Sequence, residues 1–403
     1  MDTIVDYIDW RGDLTFEQSK FNEVDNLIFS QIAYLNLGVI KGKISLKKIG
    51  ERYKKMMEVR DKNHNVYVSP LTTKVESMFL KASISRRFKD VMVTDFINKF
   101  DEINESQFSA MTFIIDENTI YVSYRGTDDT IVGFKENLNM AFQAPVPGQL
   151  DAVRYLEKIL SKFDNYTVFV GGHSKGGNFA VYAVSGLDDE KRDRIKTVYN
   201  NDGPGFTENI LSSDGYKKTV SKVKKYIPKD SFVGILMDDE EEYIVINASG
   251  SSGILQHDGM NWYVRGCEFV KVDNVTPQSV FVDKTIKHWL SGLDRGEREE
   301  FVEELYDIVK RAMNANKLND ISENRLKMTY RFFKKVGTME DNKKEMMQNT
   351  VLKLIQSWSE IKKAEKESRQ SKKQKKNISE KRKKVFKKVR KGINNKKKLI
   401  LKK

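Results

Sequence analysis

The sequence predicts an α/β protein: a mostly parallel sheet with helices on both faces, a helical N-terminal segment and a helical, basic C-terminal extension. Three observations predict it. Short β-rich runs alternate with amphipathic helical runs between Phe108 and Asn247, helical periodicity fills the first hundred residues, and strand patterns stop after Lys284.

In the N-terminal segment, Leu27, Ile28, Ile32 and Leu35, then Leu46, Ile49, Tyr53 and Met56, recur at helical steps, and Val91 to Phe100 reads as another short amphipathic helix. Phe108 to Ile115 and Thr119 to Tyr124 read as adjacent strands joined at Asp116-Glu117-Asn118. A helix over Leu150 to Phe163 leads into a strand at Thr167 to Val170, and a helix over Gly176 to Leu187 precedes the strand Thr197 to Asn200. Further strands follow at Val220 to Ile227 and Tyr243 to Asn247. Beyond them, Glu297 to Asn314, Glu323 to Val336 and Asp341 to Lys363 are helical patterns. The expected division is a domain over 1–290, a helical extension over 291–359 and a Lys-rich tail over 360–403, helical or disordered.

With 403 residues, 39% of them apolar, the chain can bury a sizeable core, which excludes a disordered chain or a disulfide miniprotein. Its net charge of +14 is not evenly spread: residues 360–403 carry 21 Lys/Arg against 4 Asp/Glu, and the rest of the chain is close to neutral. A single cysteine, Cys267, excludes an internal disulfide, and His64, His173, His257 and His288 lack the close spacing of a metal motif. No cofactor is expected. Met1 to Asp13 holds four Asp and no apolar signal core, and apolar runs such as Phe232 to Met237 fall far short of the roughly 20 residues that span a bilayer. A cytoplasmic protein is expected. In the tail, Val385, Phe386, Val389 and Ile393 form an apolar stripe among lysines, which suits peripheral attachment to an anionic membrane or contact with nucleic-acid phosphates. Phe386 is the only aromatic residue after Trp358, which argues against base-stacking readout.

The chemistry is concentrated at Gly172-His173-Ser174-Lys175-Gly176, a G-x-S-x-G string that follows a strand and opens a helix. That is the strand–turn–helix elbow of α/β-hydrolases, which lifts a serine hydroxyl above the sheet. A serine needs a base to take its proton and an acid to orient the base, and in this fold the chain order is Ser, Asp/Glu, His. His257, just after the strand Tyr243 to Asn247, is the expected base; His288 lies in a helical run. For the acid, Asp230 beyond Val220 to Ile227 is favoured by topology, with Asp202 beyond Thr197 to Asn200 as the competitor. Oxyanion donors are expected from the backbones of Lys175 and of Thr127, which lies just past the strand Thr119 to Tyr124. Asp238, Asp239 and Glu240 to Glu242 read as a solvated turn.

Tyr124-Arg125-Gly126-Thr127 followed by Gly171 to Asn178 resembles the class 3 lipase-like α/β-hydrolases, and more closely the bacterial Mbeg-like family, a domain of unknown function within that group. Trp10 to Thr15 with Phe21 to Asp25, Asn201 to Phe206, and Gln256-His257-Asp258 before Trp262 add to the likeness, which covers about residues 1–290. By position it implies Ser174, Asp230 and His257 as a triad, with Thr127 at the oxyanion. The expected activity is a serine esterase or lipase-like hydrolase acting on a carboxylic ester or thioester, lipid included. The alternative is a hydrolase fold kept as a binding module.

Overall fold

The computed structural model describes residues 1–38, 42–62, 70–101, 106–127, 136, 139–140, 145–250, 253–313, 340–364 and 366. A short strand β1 (Asp2–Thr3) precedes the main sheet, whose eight strands lie side by side in chain order: β2 (Ile44–Ser45), β3 (Met92–Asp101), β4 (Ser106–Asp116), β5 (Thr119–Tyr124), β6 (Thr167–His173), β7 (Ile195–Asn201), β8 (Val223–Pro228) and β9 (Tyr243–Ile246). From β2 to β5 neighbours are antiparallel, and from β5 to β9 they are parallel. The chain after β9 returns as β10 (Tyr263–Arg265) and β11 (Glu268–Phe269), and β10 pairs with β1. This is the α/β-hydrolase architecture that the sequence predicts.

Parallel neighbours joined in sequence by crossovers of one hand step across the sheet in one direction and leave their helices on one face. On that face Ile120, Val122, Val168, Val170 and Val198 form one core with the crossover helices. The opposite-pointing residues Phe113, Tyr121, Phe169, Tyr199 and Tyr226 form a second core, and it is the N-terminal helices that cover it. These are α1 (Ile4–Arg11), α2 (Glu23–Ile32), α3 (Leu46–Lys62) and α4 (Pro70–Ile84); the crossover helices flanking β6 are α5 (Pro147–Lys162) and α6 (Lys175–Ser185). Helices therefore do lie on both faces, but the two layers come from different parts of the chain.

The central covering helix is α2. Asn22 caps it by accepting from the Val24 and Asp25 amides, and the Asp25 carboxylate returns the bond to the Asn22 amide, which satisfies donors that the first turn leaves open. Asp25 is also held by the wholly buried Arg87 at 2.5 Å and by the Tyr7 hydroxyl. Phe29 stacks on Phe113 with ring centroids 4.3 Å apart, and Phe21 lies 4.8 Å from Phe169.

One predicted element changes type. Val91 to Phe100, read as a helix, is strand β3, paired with β4. Its register shifts between Thr94 and Ile97, with Asp95 at φ 53°, so apolar residues fall at steps of two and three and imitate a helical stripe. Between β9 and β10 lies α7 (Gly253–His257), and after β11 come α8 (Pro277–Ser291), α9 (Arg295–Met313) and α10, which spans 341–364. Trp289 of α8 donates to the Thr350 carbonyl of α10. The predicted helix Glu323 to Val336 and nearly all of the basic tail lie outside the described residues. Among those described, no helix is long and apolar enough to cross a membrane.

Candidate active site

The parallel strands end on one edge of the sheet, and that edge collects the chemistry-bearing residues. β6 stops at His173, Ser174 turns with φ 58° and ψ −132°, and α6 starts at Lys175. A non-glycine residue in that region is strained and is held there by its surroundings. Here a side chain on Gly172 would meet the Gly176 backbone at 2.4 Å, and one on Gly176 would meet the Tyr124 carbonyl at 2.2 Å. Only bare glycines let strand, turn and helix close so tightly beside β5. The Ser174 amide donates to the Asn201 carbonyl of the neighbouring strand.

The residue after Asn201 is Asp202, wholly buried and also at positive φ. Its Oδ2 accepts from His257 Nδ1 at 2.6 Å, and its Oδ1 accepts from the Ser231 hydroxyl at 2.5 Å and the Gly234 amide at 3.1 Å. The expected acid, Asp230, is not at the histidine. Its Oδ2 accepts from Gln256 Nε2 at 2.6 Å, and its amide donates to Gln256 Oε1 at 3.2 Å. Both aspartates follow a strand that ends at the same edge, but the loop after β8 turns Ser231 and Gly234, not Asp230, toward the centre. Asp230 instead holds the residue before His257.

His257 ends α7, and its side chain remains partly exposed. A carboxylate oxygen only accepts, so Nδ1 carries a proton toward Asp202, and in the neutral ring Nε2 is the acceptor. His288 lies elsewhere: its Nδ1 meets the Ser357 hydroxyl of α10 at 2.9 Å and its Nε2 lies 3.4 Å from Glu360.

Lys175, in the first turn of α6, is buried and ion-paired with Glu136 at 2.6 Å. The same carboxylate accepts from the Gln107 and Gly148 amides. One buried pair thus ties the elbow helix to β4 and to the start of α5. Arg125 is buried and donates to Asn98 Oδ1 at 3.0 Å. Tyr124 pairs in register with Gly172, so Thr127 leaves the end of β5 beside the elbow; residues 128–135 after it lie outside the described set. The acidic run before β9 is not a solvated turn throughout. Glu241 is buried against Asn200 Nδ2, with its pKa pushed up to about 7 by burial, and Asp239 pairs with the wholly buried Lys225 at 2.5 Å.

The reading from sequence misses the contribution of the N-terminal segment. Asn26 and Ser30 of α2 and Tyr34 just beyond it stand at i, i+4 and i+8. Asn26 exchanges bonds with Asn201, Ser30 accepts from Asn201 Nδ2, and Tyr34 meets His173. Asn201 Nδ2 also donates to the Gly172 carbonyl. The signal in the sequence is a polar row, Asn26, Ser30 and Tyr34, at helical spacing beside the apolar stripe of the same segment. Among the described residues no group of His, Cys, Asp or Glu could hold a metal ion.

Comparison with known proteins adds a family. No curated protein matches the chain. Similar solved structures include a mutant form of MDLA from Penicillium cyclopium, 10% identical over 61% of this chain and 83% of that one with a TM-score of 0.37. Lipase II from Rhizopus niveus is 18% identical over 39% and 67%, with a TM-score of 0.29. Native Rhizomucor miehei lipase with its propeptide is 18% identical over 42% and 70%, with a TM-score of 0.32. The fold assignment rests on the strand order and the elbow, not on these likenesses. The Mbeg1-like family model matches residues 82–307, more than half of the sequence, and the chain belongs to the Mbeg1-like family.

Proposed function

We propose that this protein is a serine hydrolase that cleaves a carboxylic ester or thioester through an acyl-enzyme. The observation that carries the reading is the His257 Nδ1 contact with the buried Asp202, beside a serine at a strained strand-to-helix turn. In this reading Ser174 Oγ attacks the acyl carbon while His257 Nε2 takes its proton. Asp202 holds the imidazole in that tautomer and stabilises the imidazolium. The backbone N–H groups of Lys175 and Thr127 are assigned to the oxyanion, a contribution of roughly 3–4 kcal/mol per donor when one is lost. The imidazolium then gives its proton to the departing alcohol or thiol. Water, deprotonated by the same nitrogen, releases the acid and restores the serine.

The test is covalent labelling by a fluorophosphonate. Wild type is expected to be labelled at Ser174 and Ser174→Ala to be unlabelled, with hydrolysis of short-chain p-nitrophenyl esters lost in parallel. Equal labelling of the two proteins would remove Ser174 from the reaction.

A further inference from the structure

His173, the residue before the candidate nucleophile, is buried, and no role is assigned to it by the reaction above. Its ring lies against that of His257 with centroids 4.7 Å apart and planes inclined by 33°. His173 Nε2 is 2.7 Å from the His257 carbonyl oxygen, and Nδ1 is 2.9 Å from the Tyr34 hydroxyl. A carbonyl only accepts, so Nε2 carries the ring proton and donates to His257, and Nδ1 accepts from Tyr34. Burial, helped by the neighbouring imidazole of His257, pushes the His173 pKa down to about 3, so the ring stays neutral and does not oppose a cation forming on His257.

We propose that His173, locked in one tautomer by Tyr34, is a positioning residue that fixes the backbone and ring plane of His257. The inference rests on the assignment of His257 as the base and deepens it. The strut starts in the N-terminal segment, passes through the elbow and ends on the main chain of the base. His257 otherwise closes a helix of only five residues, so this bond and the Asp202 contact hold it from two sides. The Tyr34 hydroxyl is admitted because residue 126 is glycine: a side chain there would approach it to 2.0 Å.

The test uses the full chain with His173→Leu, His173→Gln, His173→Asn and Tyr34→Phe. A glutamine amide reaches about as far as Nε2 and can still donate to the His257 carbonyl, whereas an asparagine amide cannot. His173→Leu is expected to lower kcat roughly tenfold, the rate equivalent of one lost hydrogen bond, with KM unchanged. His173→Gln should restore most of it, His173→Asn should not, and Tyr34→Phe should fall between wild type and His173→Leu. The second readout is independent of turnover: the proton on His257 Nδ1, followed by NMR, should stay sharp in wild type and His173→Gln and broaden in His173→Leu and His173→Asn. A folded His173→Leu with wild-type kcat and a sharp resonance overturns the proposal. If His173→Leu does not fold, the glutamine–asparagine pair decides, and equal rates with equal spectra overturn it. Absence of labelling in wild type would count against the hydrolase reading alone, because the NMR comparison still reports on the strut.

Discussion

Asp202 sits without solvent contact at the end of β7, and a carboxylate is tolerated there because each oxygen is met by donors: His257 on one, Ser231 and Gly234 on the other. Asp202→Asn keeps the shape and the Ser231 and Gly234 bonds, but its amide nitrogen faces His257 Nδ1 and favours the tautomer with the proton on Nε2, where the Ser174 proton must go. Turnover is expected to drop about 10,000-fold. Asp230→Asn can still accept from Gln256, and should stay within roughly tenfold of wild type. Steady-state rates of the two variants, with melting curves to confirm folding, decide between the carboxylates; the opposite ranking would move the acid to Asp230. Glu241 offers a different single-residue test. Its carboxyl titrates near 4.5 when unfolded and at about 7 when buried beside Asn200, so the folded state binds the extra proton between those values. The stability this lends is whole below pH 4.5, declines as pH rises, and is gone once pH passes about 7. Glu241→Gln is expected to flatten the fall in Tm between pH 5 and pH 8, read by thermal melts at each pH.

At the scale of elements, what the sequence makes legible is what is local. The elbow is readable because a strand, two flanking glycines and a helix start lie within a dozen residues, and the turn admits little else. The parallel strands are readable as apolar runs because both of their faces are buried. β3 is not readable, because one bulge at Asp95 breaks the alternation that marks a strand. Nor is the choice of acid. The loops after β7 and β8 end at the same edge, and only the directions of individual side chains, across 55 residues from Asp202 to His257, distinguish them. The α2 helix shows its hydrophobic stripe in the sequence, but not that Asn26, Ser30 and Tyr34 point at Asn201 and His173, more than a hundred residues away. Helical periodicity gives a buried face without naming what that face meets.

For the whole molecule, the sequential strand order has a consequence for how much chain is needed to fold. Because the crossover helices occupy one face, the other face is covered only in part from within residues 82–307, the span of the family model: Phe269 packs on Tyr226 with ring centroids 5.0 Å apart, at the β8 side of the sheet. Phe113, Tyr121, Phe169 and Tyr199 point to the same face, and their cover is Phe21, Phe29 and the rest of the N-terminal segment. Exposing a side chain of this size forfeits about 1.5–3 kcal/mol, and a domain has only about 5–15 kcal/mol in hand. The same cut leaves Arg87 buried without Asp25, and Tyr226 without Glu23. A chain trimmed to 82–307 is therefore expected to lack a cooperative melt and to bind the dye ANS strongly, whereas a chain ending after residue 366 should melt as wild type does. Near-UV circular dichroism and ANS fluorescence of both trimmed proteins check this. A cooperative transition within a few degrees of wild type for 82–307 would mean that the N-terminal helices are an accessory to the sheet and that its second face is stable without them.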